Sequence, residues 1–224
     1  MKKAISLLLP LIVVLALTAC GSQLDIPAPE ADMPVPTDTP ESLNDASPAE
    51  GNTIEDTGGE TGKILIAYFS ATNNTENIAN HLHTILDASL YEIIPETPYT
   101  DADLDYNTDC RANQEQNDDS VRPAISGSVE DMGQYDVIFL GYPIWWGQAP
   151  KIISTFLESY DLSGKTIVPF CTSGSSGIGS SATNLHSLAS SAIWLDGQRF
   201  SGSASRSTVE SWVNGLGLTL TPAA

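Results

Sequence analysis

The sequence predicts an α/β fold: a doubly wound, five-stranded parallel sheet in the order 2-1-3-4-5, flanked by helices, over residues 63–218. Three observations point to it. The apolar runs at 64–69 and 135–141 lack polar alternation, as suits strands covered on both faces. Segments of helical spacing separate the strands, and that alternation implies a parallel sheet wrapped by helices. The first, third and fourth strands open into SATNNT, YPIWWG and TSGSSG. In this strand order those stretches lie at the carboxyl ends where open α/β sheets bind ligands.

The chain starts differently. Lys2 and Lys3 precede an apolar run over 4–17, followed by Leu17-Thr18-Ala19-Cys20-Gly21, the pattern of a signal peptide. LTAC resembles the bacterial lipobox, which implies cleavage after residue 19 and lipidation of Cys20 as the mature N-terminus. A transmembrane anchor is the alternative, but the run is short of the roughly 18 apolar residues that a span needs. Residues 21–62 hold ten acidic residues and six prolines, with no Lys, Arg or aromatic residue. Such a composition buries no core, so residues 20–62 are read as a lipidated cysteine with a disordered, extended tether.

The net charge of the chain is −19; without the two signal lysines it is −21, and without the tether's ten acids −11 remains on residues 63–224. A folded part so acidic argues against a nucleic-acid partner. Cys110 and Cys171 are the cysteines left. One pair is no disulfide framework, and either a bridge or two buried thiols is consistent with the sequence.

After the first strand, Ile78, Ala79, Leu82, Ile85 and Leu86 recur at helical spacing, with Glu76 in the first turn and Asn74 as the expected N-cap. A helix N-terminus following a hydroxyl-rich loop binds an anion, phosphate above all, without a basic residue. Residues 90–94 read as the second strand. The polar stretch 96–133 reads as a solvated acidic loop with a short helix over 109–117. Its DADLDYNTD run is no calcium loop: Tyr106 stands where an EF-hand needs glycine and Ala112 where it needs the bidentate glutamate.

Residues 135–141 form the third strand and 149–160 the next helix, through Ile152, Ile153, Phe156 and Leu157. The fourth strand, 165–171, contains Pro169, which removes one ladder donor. Ile178, Ala182, Leu185 and Ala189 mark a helix, 192–195 a short fifth strand, and 207–216 the last helix.

The three loops together resemble those of the flavodoxin-like family, over nearly all of residues 63–218. GYPIWWGQAP, FLESYDLSGK and PFCTSGSSGIG look like a bacterial subgroup of it. The resemblance implies FMN, with the phosphate held by Ser70, Thr72, Asn73, Asn74 and Thr75 on the family's Ser/Thr-x-Thr-Gly-Asn-Thr pattern. Asn73 replaces the usual glycine there, and Asn tolerates positive φ better than other side chains. Pro143, Ile144, Trp145, Trp146 and Gly147, with Thr172, Ser173, Gly174, Ser175 and Gly177, are then expected beside the flavin ring.

Other chemistries fit less well. His81 and His83 face different ways on a helix and make no metal pair; His186 reads as a solvent-facing helical residue. Gly174-Ser175-Ser176-Gly177 lacks the spacing of a nucleophile elbow.

Two functions follow from the resemblance: a tethered electron carrier serving redox partner proteins, or an NAD(P)H-dependent FMN reductase of quinones or nitro compounds. A third is a binding protein of the same shape without FMN. With no Lys or Arg inside the three loops and a tryptophan stacked on the ring, the expectation is a low potential for the second electron.

Overall fold

The structure, a computed structural model, describes residues 62–218. Cys20, the signal peptide and the tether lie outside the described residues. No helix among the described residues is long and apolar enough to cross a membrane.

The strands and helices are β1 (Lys63–Tyr68), α1 (Asn74–Leu86), β2 (Ser89–Glu92), β3 (Ile94–Pro95), α2 (Arg111–Gln116), β4 (Ile125–Ser126), β5 (Tyr135–Pro143), α3 (Lys151–Glu158), β6 (Thr166–Thr172), α4 (Ser180–Thr183), β7 (Ile193–Trp194), β8 (Gln198–Phe200) and α5 (Arg206–Gly215). The main sheet is parallel, in the order β2-β1-β5-β6-β7, with β8 also on β6. This is the expected 2-1-3-4-5 arrangement, except that two short strands share the fifth place.

The split has a physical cause. β7 pairs with Thr166 and Ile167, and β8 with Phe170 to Thr172, so the break falls opposite Pro169, which has no N–H to give. The chain there presses against the proline. A Cβ on Gly197 would come within 2.8 Å of the Pro169 carbonyl oxygen and 2.4 Å of Ile178 Cδ1, so glycine is required.

Both sheet faces are covered, which explains the unbroken apolar runs. One side packs Leu65, Ile138, Leu140 and Ile167 against Ile152, Ile153, Phe156 and Leu157. The other packs Ile66, Phe139, Val168 and Phe170 against Ile78, Leu82, Val209 and Val213.

Four expectations are corrected. The helix over 178–189 is broken into α4 and a 3-10 turn at His186–Ala189. Gly179, at φ 47° and ψ −138°, holds Ile178 outside α4, and the Ile178 carbonyl accepts from the Ser181 N–H and Oγ instead of from the next turn. The second strand ends at Glu92, and β3 instead pairs antiparallel with β4 in a separate ribbon.

The stretch 96–133 is not simply solvated. Cys110 and Ala112 are buried in the core, with Tyr99, Leu104 and Ile125 packed against it. Cys110 and Cys171 are both free and buried. His186 is half-buried and stacks on Trp194, their ring centroids 4.6 Å apart.

Candidate functional site

β1 delivers the chain into Ser70 and α1 takes it up at Asn74. Asn73 is the N-cap residue, one before the expected Asn74, with φ 61° and ψ 1°. It holds the left-handed conformation that glycine would otherwise supply, and of the side-chain-bearing residues Asn does so at low cost. Asn73 makes no side-chain cap bond, so the first-turn N–H groups of α1 face the loop unspent. Asn74 Nδ2 donates to Thr72 Oγ1 at 2.9 Å. Thr75 is fully buried, and its hydroxyl lies 2.8 Å from Thr172 Oγ1, tying the first loop to the end of β6. Ser70 Oγ is buried without a partner among the described residues.

The second loop separates its two tryptophans. Trp145 is only 4% exposed, edge-on to Phe69 and Tyr99 at centroid distances of 5.5 and 5.1 Å. Trp146 is 59% exposed, at φ 53°, and Gly147 follows at φ 74°. The two form a tight turn closed by reciprocal bonds of 2.9 Å between Trp145 and Gln148. A bulky residue at positive φ is strained by about 1–2 kcal/mol. Local contacts offset this: Trp146 Nε1 donates to Asn113 Oδ1 at 2.7 Å, and its ring meets Tyr106 edge-on at 5.7 Å.

Behind Trp145, Tyr99 donates to Glu115, and Arg111 grips the same carboxylate at 2.6 Å while covering the Tyr99 ring. Burial, then the bond to Glu115, pushes the Tyr99 phenol well above its ordinary value. Gln116 Nε2 donates to the Trp145 carbonyl at 3.0 Å.

The third loop follows β6. Its Ser173 and Gly174 carbonyls accept from Arg199 Nη2 at 2.5 and 2.8 Å, and Arg199 Nε donates to Ser173 Oγ at 3.1 Å. A cation therefore reaches this loop from β8, although none lies within it in sequence.

Between the loops is a cleft of about 500 Å³. Of the expected residues, Thr72, Asn74, Pro143, Ile144, Trp145, Thr172, Ser173 and Gly174 line it. Thr75 and the Ser70 hydroxyl are buried behind the first loop's surface, while Asn73 is exposed and does not line the cleft. Trp146 and Gly147 are exposed beyond Trp145, and Ser175 and Gly177 are exposed in the third loop.

Sequence reasoning missed Leu104 and Tyr106 on one wall and Ser201, Gly202 and Ser203 on another. The 201–203 loop leans on the first: Asn77 Nδ2 donates to the Gly202 carbonyl at 2.9 Å, and a Cβ on Gly202 would lie 2.1 Å from Asn74 Oδ1. The run Ser201-Gly202-Ser203 is of the same small, polar kind as the first loop, and that was the signal available in sequence. Among the lining residues Tyr106 alone has an ionisable side chain, and burial, then Cys110, raises its pKa. The cleft wall offers no acid or base near neutrality.

The sequence profile of the flavodoxin family matches residues 63–216. The chain belongs to the flavodoxin family. A candidate flavoprotein from Bacteroides eggerthii is 45% identical with a TM-score of 0.67, over 70% of this chain and 99% of that one. One from Bacteroides uniformis is 42% identical with a TM-score of 0.66, over 69% and 99%. A Lactobacillus acidophilus flavoprotein solved in complex with FMN shares the fold at 23% identity and a TM-score of 0.55, over 70% and 99%. No curated protein matches the chain.

The flavodoxin cleft fits the cofactor that its family implies. The orphaned Ser70 hydroxyl and the uncapped α1 N-terminus suit a phosphate. Leu104, Tyr106, Pro143 and Ile144 give an apolar wall for a flat ring. The volume lies within the roughly 300–1,000 Å³ of small-molecule sites.

Proposed function

We propose that this flavodoxin domain holds FMN and works as an electron carrier, tethered through Cys20 to the extracytoplasmic face of the cell membrane. FMN, when bound, supplies the one-electron chemistry, and the protein's part is to bind it, orient it and exclude water. The first loop, with Ser70, Thr72 and the N–H groups from Asn73 to Thr75, would hold the phosphate. Pro143 to Trp145 and Thr172 to Gly174, which line the cleft, would stand along the ring.

The observation that carries this reading is the cleft wall: apolar and hydroxyl groups with no acid or base near neutral pH. An electron carrier needs none. The purified domain is expected to be yellow with FMN bound, and to oxidise neither NADH nor NADPH in air without a partner. Steady aerobic oxidation of either nucleotide would favour the reductase. A colourless protein that FMN cannot reconstitute would mark a binding protein that has lost it.

The tether has its own test, motivated by LTAC at the end of the apolar run. Cys20→Ala is expected to shift the protein out of the membrane fraction or leave it unprocessed on a gel. Retention in the membrane at the mature size would remove the lipoprotein reading.

A further inference from the structure

The geometry points to Arg199 as the positioning residue that turns the third loop's N–H groups towards the ligand, an inference that rests on the FMN reading above. Arg199 lies on β8, in register with Cys171 of β6, directly under the loop that β6 opens into. Its guanidinium makes three bonds there: Nε to Ser173 Oγ at 3.1 Å, and Nη2 to the carbonyls of Ser173 and Gly174 at 2.5 and 2.8 Å.

Two successive carbonyls are thus drawn to one side. In a planar trans peptide the N–H points opposite to the C=O of the preceding residue. The N–H groups of Gly174 and Ser175 therefore point away from the guanidinium. Neither donates to a backbone acceptor among the described residues. Gly174 lines the cleft, and a Cβ there would meet nothing within 4 Å, so the space beside it is open.

Adjacent, oriented N–H groups form a concavity that favours a partly negative oxygen. On a flavin that oxygen is a pyrimidine-edge carbonyl, whose negative character rises on reduction. Arg199 then acts in two ways: it fixes the donors, and its charge lies beneath them in a domain whose net charge is otherwise negative. Both favour the reduced ring, against the low potential that the loops alone suggest. The task needs Arg rather than any cation, because the planar fork reaches a hydroxyl and two carbonyls at once where an ammonium is a point charge.

The test compares wild type with Arg199→Lys and Arg199→Met, reading affinity for FMN and for riboflavin together with the reduction potential. Both variants are expected to bind both ligands roughly tenfold more weakly, the loss of about one to two hydrogen bonds. The factor should be the same for riboflavin, which lacks the phosphate, because the loop acts on the ring. The potential of the second electron should become more negative in both variants, including the lysine variant that keeps the charge.

Wild-type affinity and potential in Arg199→Lys would overturn the inference, leaving only a charge effect. Loss confined to FMN would also overturn it, by placing the effect at the phosphate. If Arg199→Met fails to fold by circular dichroism, Arg199→Lys decides alone. A wild type that binds neither flavin would remove the FMN reading itself, and this inference with it.

Discussion

Gly141→Val is expected to abolish cooperative folding of the domain, and Gly141→Ala to cost about 3 kcal/mol or more in urea denaturation. Gly141 sits in the middle strand β5, in register with Phe170 of β6. An added Cβ would lie 2.2 Å from Phe170 Cζ, with two more ring carbons within 2.8 Å. The ring is fully buried among Phe139, Val168, Phe200 and Val209 and has no room to retreat. Against a total stability of about 5–15 kcal/mol, that is a large share. Phe170→Leu should recover part of the loss in Gly141→Ala while costing stability alone, a coupling readable in a double-mutant cycle. A loss below about 1 kcal/mol in Gly141→Ala would show that the ring yields where the packing says it cannot.

The double variant Asn74→Ala, Thr75→Ala is expected to bind FMN about 10- to 100-fold more weakly, with riboflavin affected less. Thr75 Oγ1 lies 2.8 Å from Thr172 Oγ1, and removing it leaves a buried hydroxyl without a partner, at about 1–3 kcal/mol. Asn74 braces Thr72 from one side and meets the 201–203 loop on the other. Its loss loosens two walls of the phosphate end together. Fluorescence titration with both ligands would read the difference, and unchanged FMN affinity would place the phosphate elsewhere.

The parts of this molecule legible in its sequence are those where one local pattern carries the whole message. Residues 64–69 and 135–141 are uniformly apolar because both sheet faces are covered, and no longer-range knowledge is needed to see it. The positive φ of Asn73 follows from what an asparagine can do where a glycine is usual. Other features depend on distant partners. Nothing around Gln198 to Phe200 announces a strand, since three residues suffice only because β6 is already there to pair with.

Arg199 is silent for the same reason: in sequence it is 25 residues from Gly174, and the fold joins them. The 178–189 stretch misled in the opposite sense. Its apolar spacing is helical, but Gly179 takes φ 47° and ψ −138° and cuts the start of the run off from α4. The two tryptophans could not be told apart in sequence, because the left-handed Trp146 turns one ring outward while Trp145 follows Phe69 and Tyr99 into the core.

The break opposite Pro169 also bears on how the protein meets its own copies. A sheet border with a long row of free amides and carbonyls is a template on which another chain can add a strand, the first step of fibril growth. Here that border has only β7 and β8, of two and three residues, separated by a glycine kink against a proline that donates nothing. An incoming strand would find its ladder interrupted at every attempt to lengthen it. The same irregularity that seats Arg199 under the third loop thus makes this side of the domain a poor template for an added strand.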